Sequence, residues 1–422
     1  MAFDFTDRLN DKDMERRLEA LSALRGAPRG PQAPGHVNNH IHTMYSFSPY
    51  SPSAAVYEAC RAGLTTAGIM DHDTIAGGEE FIAAGRIMGL PVTCGIECRV
   101  SFADTPFAGR LINNPDQKGV VYMALHGVPA GQHAAVQRFF EPLRAARSHR
   151  NRLMTERIHA LVSPLGLSLN YERDVVPLSW SDCGGSVTER HILFGLAHNI
   201  IAATGRGELL IDFIDKRLGL PLSDRARAFL ADAGNPGYAY DLLNVLKGHF
   251  VSRFYIPATD ECPPVEDVLA LSERVGAISA YAYLGDVGDS PTGDKKAQKF
   301  EDDYLDDLFG YLRDIGFRAV TYMPTRNTGA QLARVRELCR RMGFFEICGE
   351  DINQPRQSFV TEKLREPGFS HLVDATWALI AHERLADGDP DRGFFAAAAV
   401  RKYPDVVRRA AAFAQQGRAL AH

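Results

Sequence analysis

The sequence predicts an α/β fold in which parallel strands, joined by crossover helices, line up their C-terminal ends along the rim of a barrel. Two observations carry this expectation. Short apolar runs alternate with helical stretches over two blocks of the 422-residue chain, and polar, chemistry-bearing residues sit where the apolar runs stop.

The elements follow in order. Residues 9–25 read as a charged amphipathic helix, ended by the Gly/Pro-rich stretch GAPRGPQAPG. Val37–His42 reads as the first strand, followed by the helical PSAAVYEACRAG, the strand TTAGIM, the helical GGEEFIAAGRIMG, and the strands PVTCGIE and VVYMAL. The text then turns Arg/Leu/Ala-rich, with RAARSHRNRLMTERIHALV its clearest helix; Arg144, Arg147, Arg150 and Arg152 read there as a solvated face. Alternation resumes with VEDVLALSERVG, AISAYAYL, YLDDLFGYLRDIG, AVTYMP, TGAQLARVRELCRRMG and FFEICGED. An Ala-rich helical end follows. The expected segments are 1–35 (N-terminal helix and linker), 36–132 and 250–373 (two parts of the barrel), 133–249 (a helical insertion) and 374–422 (a helical extension).

Composition narrows the class. A net charge of −5 gives no global basic field for nucleic acid. Seven scattered cysteines fit a reducing compartment, and no apolar run is long enough to span a bilayer. A cytoplasmic enzyme is expected. The Gly77-Gly78 pair lacks the surroundings of a phosphate loop, and no nucleophile elbow surrounds a serine.

The chemistry is concentrated at the strand ends. In a strand, His40 and His42 point the same way while Ile41 packs opposite. An isolated His-x-His is more often structural, so its company decides. Asp71-His72-Asp73, Glu97, His126 and Glu350-Asp351 end other strands. Carboxylates gathered on one rim repel and are costly to desolvate unless cations join them, and a mixed nitrogen and oxygen donor set suits Zn, Mn or Fe.

These residues fall in motifs. HIHTMYS, IMDHDTIAG, CGIE, ALHGV and CGEDIN, with TERHILFGLA, together resemble the polymerase and histidinol phosphatase (PHP) superfamily of metal-dependent phosphoesterases. The resemblance covers residues from about 36 to 359. It implies a distorted (β/α)7 barrel, here with a helical insertion and a C-terminal helical extension. It also implies one or two divalent transition-metal ions per chain, one held by His40, His42, Glu97 and Asp351, with Glu97 bridging to a second held also by His126, and Asn353 where the family has a histidine. Asp71, His72 and His191 become the catalytic candidates, and Arg190, Arg356 and Tyr281 the substrate-binding ones. Phe47 follows Ser46 where the family usually has Asp, and Ala280-Tyr281-Ala282-Tyr283 replaces an Ala-His-Pro. The implied activity is hydrolysis of a small phosphorylated substrate. The alternatives are a ligand-binding relative with little turnover and a hydrolase of non-phosphate substrates.

Overall fold

The computed structural model describes residues 5–33, 35–287 and 298–421. Residues 1–4 and 34 of the expected N-terminal segment, 288–297 of the second barrel part, and the final residue of the extension lie outside the described residues.

Seven strands form one sheet in chain order: β1 (Val37–Ile41), β2 (Thr66–His72), β3 (Val92–Ser101), β4 (Val120–His126), β5 (Ile278–Ala282), β6 (Ala319–Tyr322) and β7 (Phe345–Cys348). The sheet curls until its two edges meet. His42 N donates to Ile352 O at 2.9 Å and Ile352 N donates to His40 O at 3.0 Å, which joins β1 to the segment leaving β7. Gly349 permits that approach, because a Cβ there would lie 2.6 Å from His40 Cβ. The fold is thus a distorted seven-stranded barrel with helical additions.

One strand departs from the parallel expectation. β4 runs antiparallel to both β3 and β5. No crossover helix separates β3 from β4. Residues 102–119 instead form turns, and such a link returns a strand alongside its predecessor in the opposite direction. The C-terminal end of β4 therefore points away from the rim where the other strands end.

Helices begin and stop where local chemistry dictates. Pro52–Arg61 starts after Ser51, whose hydroxyl accepts from Ala54 N, with Pro52 in the first turn. Gly89, at φ 61°, ends Gly78–Met88 in the left-handed conformation. These helices, with Val265–Val275, Leu305–Ile315 and Gly329–Met342, bury apolar faces on the outside of the barrel.

The end of the barrel opposite the site is closed by the helix Ser370–Gly388. Its Ala375, Ala378 and Ala381 meet inward side chains of the strands, including Met70, Ala124, Ile278, Ala280 and Ile347. Glu383 on this helix accepts from Cys94 N and Thr93 Oγ1, each at 2.7 Å, at the start of β3. Burial pushes this carboxyl up to about 8, against the pull of those hydrogen bonds. Because the folded chain holds the proton more tightly than the unfolded one, stability is lost as pH rises from the ordinary carboxylate range, near 4.5, through about 8. Glu383→Gln keeps an acceptor and cannot ionise. The variant is expected to melt higher than wild type at pH 9 and to lose that advantage at pH 4; equal gains at both pH values would separate Glu383 from the effect.

A second apolar core lies outside the barrel, built from helices between Met154 and Phe254. A single 30-residue helix, His133–Val162, runs through both, its Val136 and Phe140 in the barrel core and its Met154, Ile158 and Val162 in the second. Among the described residues, no helix is long and apolar enough to cross a membrane.

Candidate metal centre

Strand alternation aims side chains inward in layers. His40 and His42 share one side of β1 and its exit, as the two-residue spacing requires. On β2 and β3, His72 and Glu97 are register partners, and Glu97 lies opposite Ala124 of β4. His126 lies opposite Gly95, two residues deeper than Glu97, because β4 runs backwards.

Glu97 is the centre of the cluster. Its Oε2 lies 3.0 Å from His72 Nδ1, 3.8 Å from His40 Nε2 and 4.0 Å from His42 Nε2. His42 Nε2 is also 3.1 Å from Asp351 Oδ1. The rings of His40 and His42 are 5.0 Å apart between centroids, and those of His42 and His72 are 4.6 Å apart. Donor atoms spaced this way suit a common ion at bonds of about 2.0–2.2 Å. His40, His42 and Glu97 offer ligand atoms all within 4.8 Å of one another.

Several of these imidazoles have nitrogens that could bind an ion. Nε2 of His40 and of His126 are buried without a hydrogen-bond partner, and Nε2 of His42 faces only carboxylates, Asp351 Oδ1 at 3.1 Å being the nearest, an expensive arrangement that a bound cation relieves. Ser46 Oγ donates to Asp71 Oδ1 at 2.6 Å, so its 3.2 Å contact with His42 Nδ1 is one in which it accepts. In the neutral ring that places the His42 proton on Nδ1 and leaves the Nε2 lone pair facing Glu97 and Asp351. Asp71, accepting also from Thr43 N at 2.7 Å and Thr43 Oγ1 at 2.6 Å, stands behind His42 rather than in the open cluster.

Electrostatics favour the neutral ring at His40, His72 and His126 but not at His42. Burial lowers His40, outweighing the pull of Glu97. Burial, with the charge of His40, lowers His126 to about 3. His72 is held well below the usual imidazole range by burial and then by His42, Arg147 and Arg190. His42 goes the other way: burial would lower it, but Asp351 and Glu97 raise it more. Asp351 is held well below the usual carboxylate range, burial being outweighed by His42 and Arg190.

The remaining candidates divide into near and far. Arg190 reaches the rim, its Nη2 4.0 Å from Asp351 Oδ2. Asn353 donates to Asp351 Oδ1, bracing that carboxylate. His191 closes a capping box, its Nδ1 accepting from Thr188 N at 2.9 Å, and lies edge-on to Phe47 at 5.0 Å; in the neutral ring the proton is then on Nε2. Burial, then Arg147 and Arg190, lowers His191 to about 3. Phe47 is buried against Phe194 and Tyr240 in the second core, so it fills its space with packing.

Two candidates are held elsewhere. The Arg356 guanidinium is bound by Asp241 at 3.0 and 2.9 Å and by Asn235 at 2.9 Å, over the Phe229 ring. Tyr281 points out of the barrel into the main core, its hydroxyl 3.1 Å from Glu301 Oε1, while Ile278 and Ala280 take the inward positions of β5.

The arginine helix face requires a correction. Arg147 and Arg150 are 3% and 5% exposed, because acidic partners from distant elements cover them. Arg147 meets Asp73 Oδ2 at 2.5 Å and Glu189 Oε2 at 2.8 Å, and Arg150 Nε meets Glu261 Oε2 at 2.7 Å. Arg99, inward on β3, joins Glu189 at 3.1 Å and Glu261 at 2.5 Å. Asp73 holds a left-handed backbone at φ 56° in this network. Three guanidiniums and three carboxylates thus wall one side of the cluster. Glu189, the residue before Arg190, is the least buried of them, with 21% of its side chain exposed.

No family model and no curated protein matches the chain. Among solved structures, the crystal structure of a protein from Bifidobacterium adolescentis, assigned as a metal-dependent phosphoesterase, has a TM-score of 0.51 at 21% identity, covering 80% of this chain and 96% of that one. The likeness is one of fold. An amidohydrolase from Chromobacterium violaceum, with bound sulfate and no metal, has a TM-score of 0.49 at 16% identity, covering 78% of this chain and 90% of that one.

Proposed function

We propose that the protein is a divalent-metal-dependent hydrolase of small phosphate esters, a divergent relative of the PHP superfamily. The observation that carries the reading is the cluster of His40 and His42, whose Nε2 atoms lie 3.8 and 4.0 Å from Glu97 Oε2, with Asp351 Oδ1 3.1 Å from His42 Nε2 and the His126 Nε2 buried below them without a hydrogen-bond partner. His40, His42, Glu97 and Asp351 would hold one Zn, Mn or Fe ion. His126 and Glu97, with His72 beside Glu97, would hold a second.

When bound, such an ion makes water acidic enough to ionise near neutral pH and draws charge from a phosphoryl oxygen. The chain's own groups supply the rest. Asp71, through Ser46, keeps the proton of His42 on Nδ1 and so keeps Nε2 free to bind. Arg190, at the rim, is the cation placed to grip a phosphate oxygen, since Arg99, Arg147 and Arg150 are already paired. His191, with its proton on Nε2, is a donor next to Arg190. The wall of paired charges fixes the first turn of Glu189–Thr204, from which both project.

A binding protein with little turnover is the second reading. Phe47 and Ala282 offer no donor, and Asn353 is engaged with Asp351. A weak second site would leave nucleophile and leaving group poorly placed unless free metal keeps it filled. The test is a screen of phosphomonoesters and nucleotides against rising Mn²⁺, with Glu97→Ala as control. Hydrolysis that climbs with metal and vanishes in the control is the expected outcome. Silence toward every ester at saturating metal, with small anions still raising the melting temperature, would favour the binding protein.

A further inference from the structure

We propose that the hydroxyl of Tyr122 donates a hydrogen bond to an anionic oxygen of the ligand held over the metal centre. The proposal rests on the reading above in placing a ligand against that centre, and not on the ligand being a phosphate ester.

The direction of β4 brings Tyr122 there. In an antiparallel strand the rim is reached by the first residues and not the last. Tyr122 is the register partner of Arg99, as Ala124 is of Glu97, so it stands one inward layer above the metal-binding carboxylate. Directly opposite residues of an antiparallel pair project from the same face. The ring lies 6.3 Å from that of His72, between centroids, and is half-buried.

The backbone of Tyr122 is clamped. Asn113 donates from Nδ2 to Tyr122 O at 2.7 Å and accepts from Tyr122 N on Oδ1 at 2.8 Å. The same Nδ2 reaches Ala282 O at 2.6 Å, tying the rim end of β4 to β5. One amide thus fixes the position from which the phenol projects. Such support is what a contact residue needs to hold its geometry without a ligand.

The guanidiniums of the charged wall already face carboxylates. Arg99, Arg147 and Arg150 are engaged by Glu189, Glu261 and Asp73. Tyr281 of β5 and Tyr283 just after it are spent as well, on Glu301 and on Asp302 at 2.6 Å. Tyr122 makes its hydrogen bonds through its backbone alone, and its hydroxyl has no partner among the described residues. A phenol with an ordinary pKa of about 10 carries its proton at neutral pH. It can therefore donate to an oxyanion where the neighbouring carboxylates, Glu97 and Glu189, only accept. The role expected of a β5 tyrosine falls to β4.

The experiment compares wild type with Tyr122→Phe, both full length and loaded with Mn²⁺ to the same content by elemental analysis. Inorganic phosphate and acetate are titrated into each by calorimetry. The variant is expected to bind phosphate about tenfold more weakly, the scale of one hydrogen bond to a charged group. If wild type takes acetate and not phosphate, and the variant weakens acetate by the same factor, the role of Tyr122 stands while the phosphate-ester reading falls. Equal affinity of wild type and variant for whichever anion binds would overturn the proposal. So would the failure of both anions to bind wild type at millimolar concentration. The substitution removes one oxygen and keeps the ring; should the variant nonetheless melt lower, the rise in melting temperature that each protein gains from the anion gives the same comparison.

Discussion

Glu97→Ala is expected to abolish metal binding at neutral pH. Among the described residues no other side chain is approached by as many imidazoles: Oε2 of Glu97 is 3.0 Å from His72, 3.8 Å from His40 and 4.0 Å from His42. Its removal leaves Asp351 as the one carboxylate facing His42. Partners that only orient a ligand cost about 10–100-fold in metal affinity when removed, so loss of a shared ligand should exceed about 100-fold. Elemental analysis after dialysis, together with a Zn²⁺ competition titration, reads this directly. Asp71→Asn serves as the comparison, because Asp71 reaches the site only through Ser46 and His42; its loss should fall within the smaller range. Undiminished metal in Glu97→Ala would put the ion elsewhere in the chain. Equal losses in both variants would mean that Asp71 is itself a ligand.

Much of this cluster could be read from spacing. The period of two in a strand is enough to pair His40 with His42, and the placing of His72 at the end of β2 and Asp351 just past β7 is what a barrel rim demands; Glu97 is not at a strand end as its sequence suggests, because β3 runs on to Ser101 to pair with β4. The direction of β4 was harder to see. Hydrophobic periodicity is the same forwards and backwards, so VVYMAL reads alike in either sense. The clue was in the link: residues 102–119 carry Asp104, Pro106, Gly109, Asn113, Asn114 and Pro115 and no helical period, too many turn formers for a parallel crossover. Once β4 is reversed, the face that holds His126 also holds Tyr122, two positions beyond Ala124, and the strand contributes at two depths.

The burial of Arg147 and Arg150 is hidden from the sequence for a different reason. A helix with Arg144, Arg147, Arg150 and Arg152 looks solvated because burying unpaired charge is prohibitive. Arg152 is indeed exposed, but the partners of Arg147 and Arg150 come from Asp73 after β2, from Glu189 at a helix start and from Glu261 before another helix. No periodicity links those positions. Barrel closure is hidden in the same way: Gly349 matters because of His40, more than 300 positions earlier. Arg356 and Tyr281 likewise looked like site residues by sequence neighbourhood, while Asp241 and Glu301 decide where they bond.

Glu261→Ala should be the most destabilising single change in the wall of charges, costing about 3–5 kcal/mol, the range for leaving a buried ion without its partner. Only 3% of the Glu261 side chain is exposed, and it accepts from Arg150 Nε and Nη2, both at 2.7 Å, and from Arg99. Without it, three guanidiniums face Glu189 and Asp73 alone, an excess positive charge in a place closed to solvent. The sign can be checked with a second substitution. Adding Arg150→Met to Glu261→Ala restores charge balance, with Arg99 and Arg147 facing Glu189 and Asp73. The double variant is expected to recover part of the loss, so that the two changes are not additive. Urea denaturation of wild type, both single variants and the double variant gives the coupling energy. Additive losses would mean that each side chain acts through packing, and a cost below about 1 kcal/mol for Glu261→Ala would mean that water reaches Arg99 and Arg150. Metal content should stay at the wild-type level in all four proteins, because none of these side chains lies within the Glu97 cluster, and that separates the stability of the wall from the chemistry beside it.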